Sequence, residues 1–254
     1  MNDPRTIFID PQSTQSLFLE LFFGNALLSS ATGFVVQRGG TYFLITNWHV
    51  VTGRDAETEK VLSPTAAIPD TLRIIYHTKD QLGSWVYGVE SLYSESIARW
   101  LEHPKGRLID VVAVPLASIP ENATVYPADL SLADADMRIH PAMPVSIIGF
   151  PLGLSAGGAW PIWKTGHIAT DPDINYDGRP SFLIDATTRG GMSGSPVVAR
   201  ASGALQTKSG SYVIKTGITT KFLGVYSGRI HGNAELGRVW RPQVIDEILG
   251  AFAG

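Results

Sequence analysis

Cysteine is absent from the 254 residues. The fold therefore rests on no disulfide and no thiolate metal site, while the redox compartment stays open. Charge is sparse: Asp, Glu, Lys and Arg together make up 17%, and the net charge is -3. No dense run of Lys or Arg appears, which argues against nucleic acid as a partner. Long hydrophobic runs are missing as well. The most apolar stretch, 17–28, is broken by Glu20 and by the turn pair Gly24-Asn25, and is too short to span a bilayer. The first residues, Met1-Asn2-Asp3-Pro4, lack the basic segment of a secretory signal. These absences predict a soluble, by default cytoplasmic, protein with no membrane partner.

Apolar residues make up 44% of the chain, enough for a sizeable core. Short runs rich in Val, Ile, Phe and Tyr recur between Gly, Pro, Asn and Asp. They predict strands at 17–23, 31–37, 41–46, 72–77, 84–87, 109–115, 145–148, 162–169, 181–185, 196–199, 212–216 and 222–227. Many short strands with 26 Gly and 16 Pro at the turns indicate an all-β sandwich or barrels. One helix is predicted, over 242–252, where Val244, Ile245, Ile248 and Leu249 form an apolar stripe behind Pro242. The polar segment at about 119–141 reads as a connector between two β halves, at about 15–118 and 142–235. The Gly/Ser/Ala-rich segment 201–211 reads as a mobile loop.

Three segments carry chemistry. Thr46-Asn47-Trp48-His49-Val50-Val51 ends one β run. Ile109-Asp110-Val111-Val112 places an acid at the mouth of an apolar strand. Arg189-Gly190-Gly191-Met192-Ser193-Gly194-Ser195-Pro196 sets a Ser in a Gly-rich turn. Amide hydrolysis needs a nucleophile, a base to take its proton and a group that orients the base. It also needs donors aimed at the developing oxyanion. Ser193, His49 and Asp110 supply the first three. Glycine tolerates positive φ, so the turn can direct the backbone N–H groups of Gly191 and Ser193 inward.

These segments also carry a resemblance. Gly33-Phe34-Val35-Val36 followed by Thr46-Asn47-Trp48-His49-Val50-Val51 resembles the first-barrel signature of HtrA-type and related bacterial trypsin-like serine peptidases. Asp110-Val111-Val112-Ala113-Val114 is similar to their acid-bearing strand. Ile148-Gly149-Phe150-Pro151-Leu152-Gly153 with Lys164-Thr165-Gly166-His167-Ile168-Ala169 resembles the start of their second barrel. Gly191-Met192-Ser193-Gly194-Ser195-Pro196 resembles their nucleophile loop and that of glutamyl endopeptidases. The blocks occur in the family's order between residues 33 and 197. The resemblance implies a single chymotrypsin-like double β-barrel peptidase domain with a short C-terminal helix. It also implies a catalytic triad of His49, Asp110 and Ser193 in the cleft, a polypeptide substrate, and no cofactor or metal. The oligomeric state is left open. Met192 departs from the family, which usually carries Asn or Asp there.

The same resemblance places the substrate pocket between Thr187 and Thr188 on one wall and Tyr226, Ser227, Gly228 and Arg229 on the other. Tyr226 stands where glutamyl endopeptidases carry a His. Asp185 matches a position that is mostly structural, so no carboxylate sits at the pocket floor to offset a buried cation. The expected residue before the scissile bond is uncharged and small or medium, with Glu second because the Thr hydroxyls can bind a carboxylate within reach of Arg229. The other five His, at 77, 103, 140, 167 and 231, have no close metal-ligand spacing, and Trp160, Trp163 and Ser195 read as packing residues. Two rival functions share the scaffold: an inactive peptide-binding module and a serine esterase.

Overall fold

The computed structural model describes residues 8–250. The N-terminal segment read for a signal and the last turn of the predicted helix, 251–252, lie outside the described residues. Two antiparallel β assemblies follow one another along the chain. In the first, the ladder runs through Ala123–Thr124, Thr71–Thr78, Ser16–Phe23, Ala26–Arg38, Thr41–Thr46, Val112–Pro115 and Leu101–Glu102, with Trp85–Ser91 added beside Thr71–Thr78. In the second, the strands Pro144–Gly149, Ile162–Ile168, Ser181–Asp185, Leu236–Trp240, Tyr212–Arg229 and Pro196–Gln206 close into a six-stranded barrel. The all-β architecture follows the predicted runs. Among the described residues, no helix is long and apolar enough to cross a membrane.

Three cores result. Leu19, Leu21, Leu44, Leu72, Ile74 and Tyr76 fill the first half, and Val145, Ile147, Ile184, Val197, Tyr226 and Val239 the second. The third core joins the halves. Phe34, Phe43, Ile45, Ile109 and Val111 meet Ile148, Val225 and Trp240, and the helix Gln243–Gly250 covers them with Val244, Ile245, Ile248 and Leu249. Burial scales with apolar area, so this seam holds the two halves in fixed register and fixes the cleft beside it.

Two readings of the chain are corrected. The segment 201–211 is not a free loop: the strand Pro196–Gln206 pairs with Tyr212–Arg229 as far as Gln206 opposite Tyr212. Its glycine marks a register shift at Ser202/Gly203, with Gly203 at φ 77°, inside a paired arm. The separate runs 212–216 and 222–227 belong to that single strand. The strand Thr41–Thr46 ends where the sequence placed it, and the residues around His49 that follow form a one-turn helix, Trp48–Thr52. Asn47 stands in extended conformation at its start, and Gly53 ends it at φ 62°. The strand Leu236–Trp240 was not foreseen, because Gly237 and Arg238 break its apolar pattern.

Candidate active site

The short helix and the strand mouth bring His49 and Asp110 together. Asn47 donates its side-chain N–H to the Asp110 carbonyl at 2.6 Å, and the His49 backbone N–H donates to Asp110 Oδ1 at 2.9 Å. The other carboxylate oxygen, Oδ2, lies 2.7 Å from His49 Nδ1. Asp110 is buried, so its remaining capacity is directed at the imidazole. On the opposite edge of the ring, His49 Nε2 lies 2.9 Å from Ser193 Oγ, which comes from the second half. Burial pushes the His49 imidazole down. The charge and hydrogen bond of Asp110, with the charge of Asp55, outweigh that and hold it above its ordinary value of 6.5.

Ser193 sits in a turn that glycine makes possible. Gly191 has φ 88° and Gly194 has φ 85°. A Cβ on Gly191 would lie 2.3 Å from the Phe150 carbonyl oxygen, and one on Gly194 2.0 Å from that of Thr32. The Gly190 carbonyl accepts from Leu152 N–H at 2.6 Å. In a trans peptide the C=O and N–H point opposite ways, so the Gly191 N–H is turned away from that loop. Neither the Gly191 nor the Ser193 N–H has a hydrogen-bond partner among the described residues. Met192 is fully buried in the second core, so apolar packing anchors the turn from beneath. Ser195 is buried as well, and its backbone bonds to Met192 and Tyr226.

Thr32, on the strand Ala26–Arg38 of the first half, was not singled out by sequence. Its N–H donates to the Ser193 carbonyl at 2.9 Å, and its hydroxyl donates to the Gly191 carbonyl at 2.8 Å while accepting from Phe150 N–H at 3.2 Å. The Thr46 hydroxyl donates in turn to the Thr32 carbonyl at 2.9 Å. One threonine thus ties the Ser193 turn across the seam. A Thr inside a strand gives no local signal for this.

Two clefts meet at Ser193. One, of about 510 Å³, is lined by His49, Asp110 and Ser193 with Ser227, Gly228 and Arg229. The other, of about 240 Å³, lies against Ser30, Ala31, Gly190 and Gly191. The other residues that the sequence assigned to the pocket, Thr187, Thr188 and Tyr226, line neither cleft. Thr187 is exposed, while Thr188 and Tyr226 are buried and their hydroxyls bond to each other. The Tyr226 ring crosses the face of Gly237, where a Cβ would lie 2.4 Å from Cε2. Burial pushes the Tyr226 phenol up to about 12, so it stays protonated and uncharged. Asp185 is exposed, opposite His167 and Leu236 in its sheet. Trp163 donates to Ser13, and Trp160 packs with His77 and Trp85.

The family model for a trypsin-like peptidase domain matches residues 31–205. No curated protein sequence matches the chain. Among solved structures, the protease Anisep from Arthrobacter nicotinovorans superposes with a TM-score of 0.54 at 13% identity, covering 96% of this chain and 97% of that one. The active form of the Rv3671c protease from M. tuberculosis gives 0.51 at 17% identity, covering 96% and 82%. The serine endoprotease from Yersinia pestis gives 0.51 at 14% identity, covering 94% of this chain and 62% of that one. At these identities the superpositions speak for the fold.

Proposed function

The chain belongs to the trypsin-like peptidase family, and on that premise we propose that it is a serine endopeptidase working through an acyl-enzyme. Ser193 is the nucleophile, His49 the base and then the acid, and Asp110 the group that orients His49. The observation that carries this reading is the unbroken contact chain from Asp110 Oδ2 through His49 to Ser193 Oγ, at 2.7 and 2.9 Å. His49 Nε2 takes the hydroxyl proton as Oγ attacks the scissile carbonyl, and returns it to the leaving amine. Asp110 stabilises the imidazolium formed between those steps. The N–H groups of Gly191 and Ser193 stabilise the oxyanion.

The substrate adds as an extended strand beside Ser227, Gly228 and Arg229. The residue before the scissile bond enters towards Thr187 and Thr188. Tyr226, bonded to Thr188 and lying over Gly237, closes the floor. The preferred residue there is therefore uncharged and small or medium.

Hydrolysis of a mixed peptide library by the wild type and by Ser193→Ala tests the assignment. The wild type cleaves and Ser193→Ala, equally folded by circular dichroism, does not. Asp110→Asn retains about one part in ten thousand of the turnover, as in other triads. Equal cleavage by Ser193→Ala removes Ser193 from the reaction. An intact wild type that hydrolyses esters but no peptide makes the scaffold an esterase.

A further inference from the structure

The cleft beside Ser193 holds an ion pair that the reaction does not use. A small hairpin, 53–62, rises from the first half after the His49 helix. It is closed by a bridge between Arg54 and Val61, by Asp55 N–H to the Lys60 carbonyl at 2.9 Å, and by Glu59 N–H to the Asp55 carbonyl at 2.8 Å. The Asp55 carboxylate accepts from the N–H groups of Glu57 and Thr58 at 3.1 and 2.7 Å. Arg107 braces the hairpin from the side, donating to the Ala56 carbonyl at 2.7 Å and pairing with Glu59 at 2.7 Å. The hairpin carries Glu57 across the cleft. There a single carboxylate oxygen, Oε1, meets Arg179 at 3.3 Å and Arg238 at 3.2 Å, both from the second half.

The two arginines are better prepared than their partner. The Arg238 side chain is only 12% exposed, whereas Glu57 is 57% exposed. Arg238 Nε is buried with no hydrogen-bond partner among the described residues. The guanidinium lies 5.6 Å from the Tyr176 ring centroid and 5.4 Å from that of Trp240, which hold its plane. A guanidinium takes a carboxylate best through two parallel bonds, and Glu57 supplies one oxygen to two arginines. With its carboxylate exposed and bound through one oxygen, Glu57 is readily displaced. Arg229 pairs with Glu235 at 3.8 Å and Asp55 caps its own turn, while Asp177 reaches only Arg179, at 3.7 Å, which leaves Glu57 as the carboxylate on Arg238.

Arg238 stands opposite Gly228 in the neighbouring strand, and both line the cleft that contains His49 and Ser193. A substrate strand laid along Ser227, Gly228 and Arg229 therefore passes Arg238 before it reaches Ser193. We infer that Arg238, with Arg179, forms a subsite for an acidic side chain on the amino-terminal side of the scissile bond, and that Glu57 fills it in the free protein as an internal stand-in. The inference rests on the peptidase reading and names the substrate class that this site selects: peptides with Asp or Glu upstream of a small residue.

Binding separates the two claims. Decapeptides with a central Ala and a single Glu or Gln two, three or four residues before it are titrated into Ser193→Ala by calorimetry, where no turnover is needed. At one of the three positions the Glu peptide binds about tenfold tighter than its Gln twin, and the difference shrinks in high salt. Adding Arg238→Gln brings the ratio to about one, and adding Glu57→Gln instead tightens the Glu peptide several-fold. A ratio near one at all three positions overturns the inference, as does a preference that survives Arg238→Gln. A loss of melting temperature in Glu57→Gln with unchanged peptide affinity also overturns it and makes Glu57 a tether between the halves. Cleavage of the same peptides by the chain with Ser193 intact reports on the peptidase reading independently.

Discussion

Replacing Thr32 with Val keeps the shape of the side chain and removes one hydroxyl. That hydroxyl serves two buried backbone groups, donating to the Gly191 carbonyl at 2.8 Å and accepting from Phe150 N–H at 3.2 Å. A buried polar group left without a partner costs roughly 1–3 kcal/mol, so the two together set an upper bound of about 6 kcal/mol. Relaxation of the turn lowers this, and a net loss of about 2–3 kcal/mol shifts the melting temperature of a chain this size by roughly 4–12 °C. The kinetic consequence is separate. The Gly191 carbonyl adjoins the peptide whose N–H we propose as an oxyanion donor, so a turn freed at that carbonyl would misplace the donor. Loss of one such donor costs about 10²–10³-fold in kcat. Steady-state kinetics well below the melting temperature should show kcat reduced about 100-fold with KM little changed, because the donor acts in the transition state. Thr32→Ser, which restores the hydroxyl, should recover both kcat and melting temperature. A Val variant that melts lower yet keeps kcat within about twofold of wild type refutes the positioning role and leaves Thr32 a purely structural residue.

Four further outcomes follow from the same geometry. His49 must be neutral to act as base, and Asp110 and Asp55 raise its pKa, so activity should fall on the acid side with a midpoint above 6.5; Asp55→Asn should move that midpoint down, and an unmoved limb in the kcat/KM profile contradicts the cause. The linked stability has the opposite sense: a raised imidazole pKa stabilises the fold fully below pH 6.5, the ordinary value, and the contribution disappears as pH rises through the raised value, a trend that urea titrations of Ser193→Ala with and without His49→Gln will show or exclude. Tyr226→Val should open the pocket floor and raise kcat/KM for Leu or Phe relative to Ala before the scissile bond roughly tenfold, and an unchanged ratio in a peptide digest removes Tyr226 from specificity. Gly194→Ala, with a Cβ 2.0 Å from the Thr32 carbonyl oxygen, should lose roughly 2–5 kcal/mol in denaturant unfolding, whereas Gly190→Ala, with open space around it, should stay within about 0.5 kcal/mol.

The parts of the site that sequence revealed are those carried by contiguous residues. Gly191-Met192-Ser193-Gly194 declares a turn with positive φ because only glycine adopts it freely, and Asp110 before an apolar strand declares a carboxylate at a strand mouth. The β class was legible because the strands are short, β-branched and bounded by turn residues. The His49 helix was not, since a single turn, Trp48–Thr52, is too short to show a period. The paired arm through Gln206 was hidden because its Gly and Ser residues look like a loop when the partner strand is out of view. Thr32 and Glu57 escaped for a related reason. Their partners lie 159, 122 and 181 residues away, and neither residue type is unusual where it stands. Long-range placement by the seam between the halves, rather than local pattern, gives both residues their roles.

The central claim is that Ser193 is a nucleophile activated by His49. A fluorophosphonate reacts far faster with an activated serine than with an ordinary hydroxyl, so intact mass and peptide mapping of the treated wild-type protein test it most directly. The account predicts one adduct per chain, mapped to Ser193, formed faster as pH rises through the His49 titration and abolished in His49→Ala. A folded wild type that takes up no label, or labels at another serine, contradicts it.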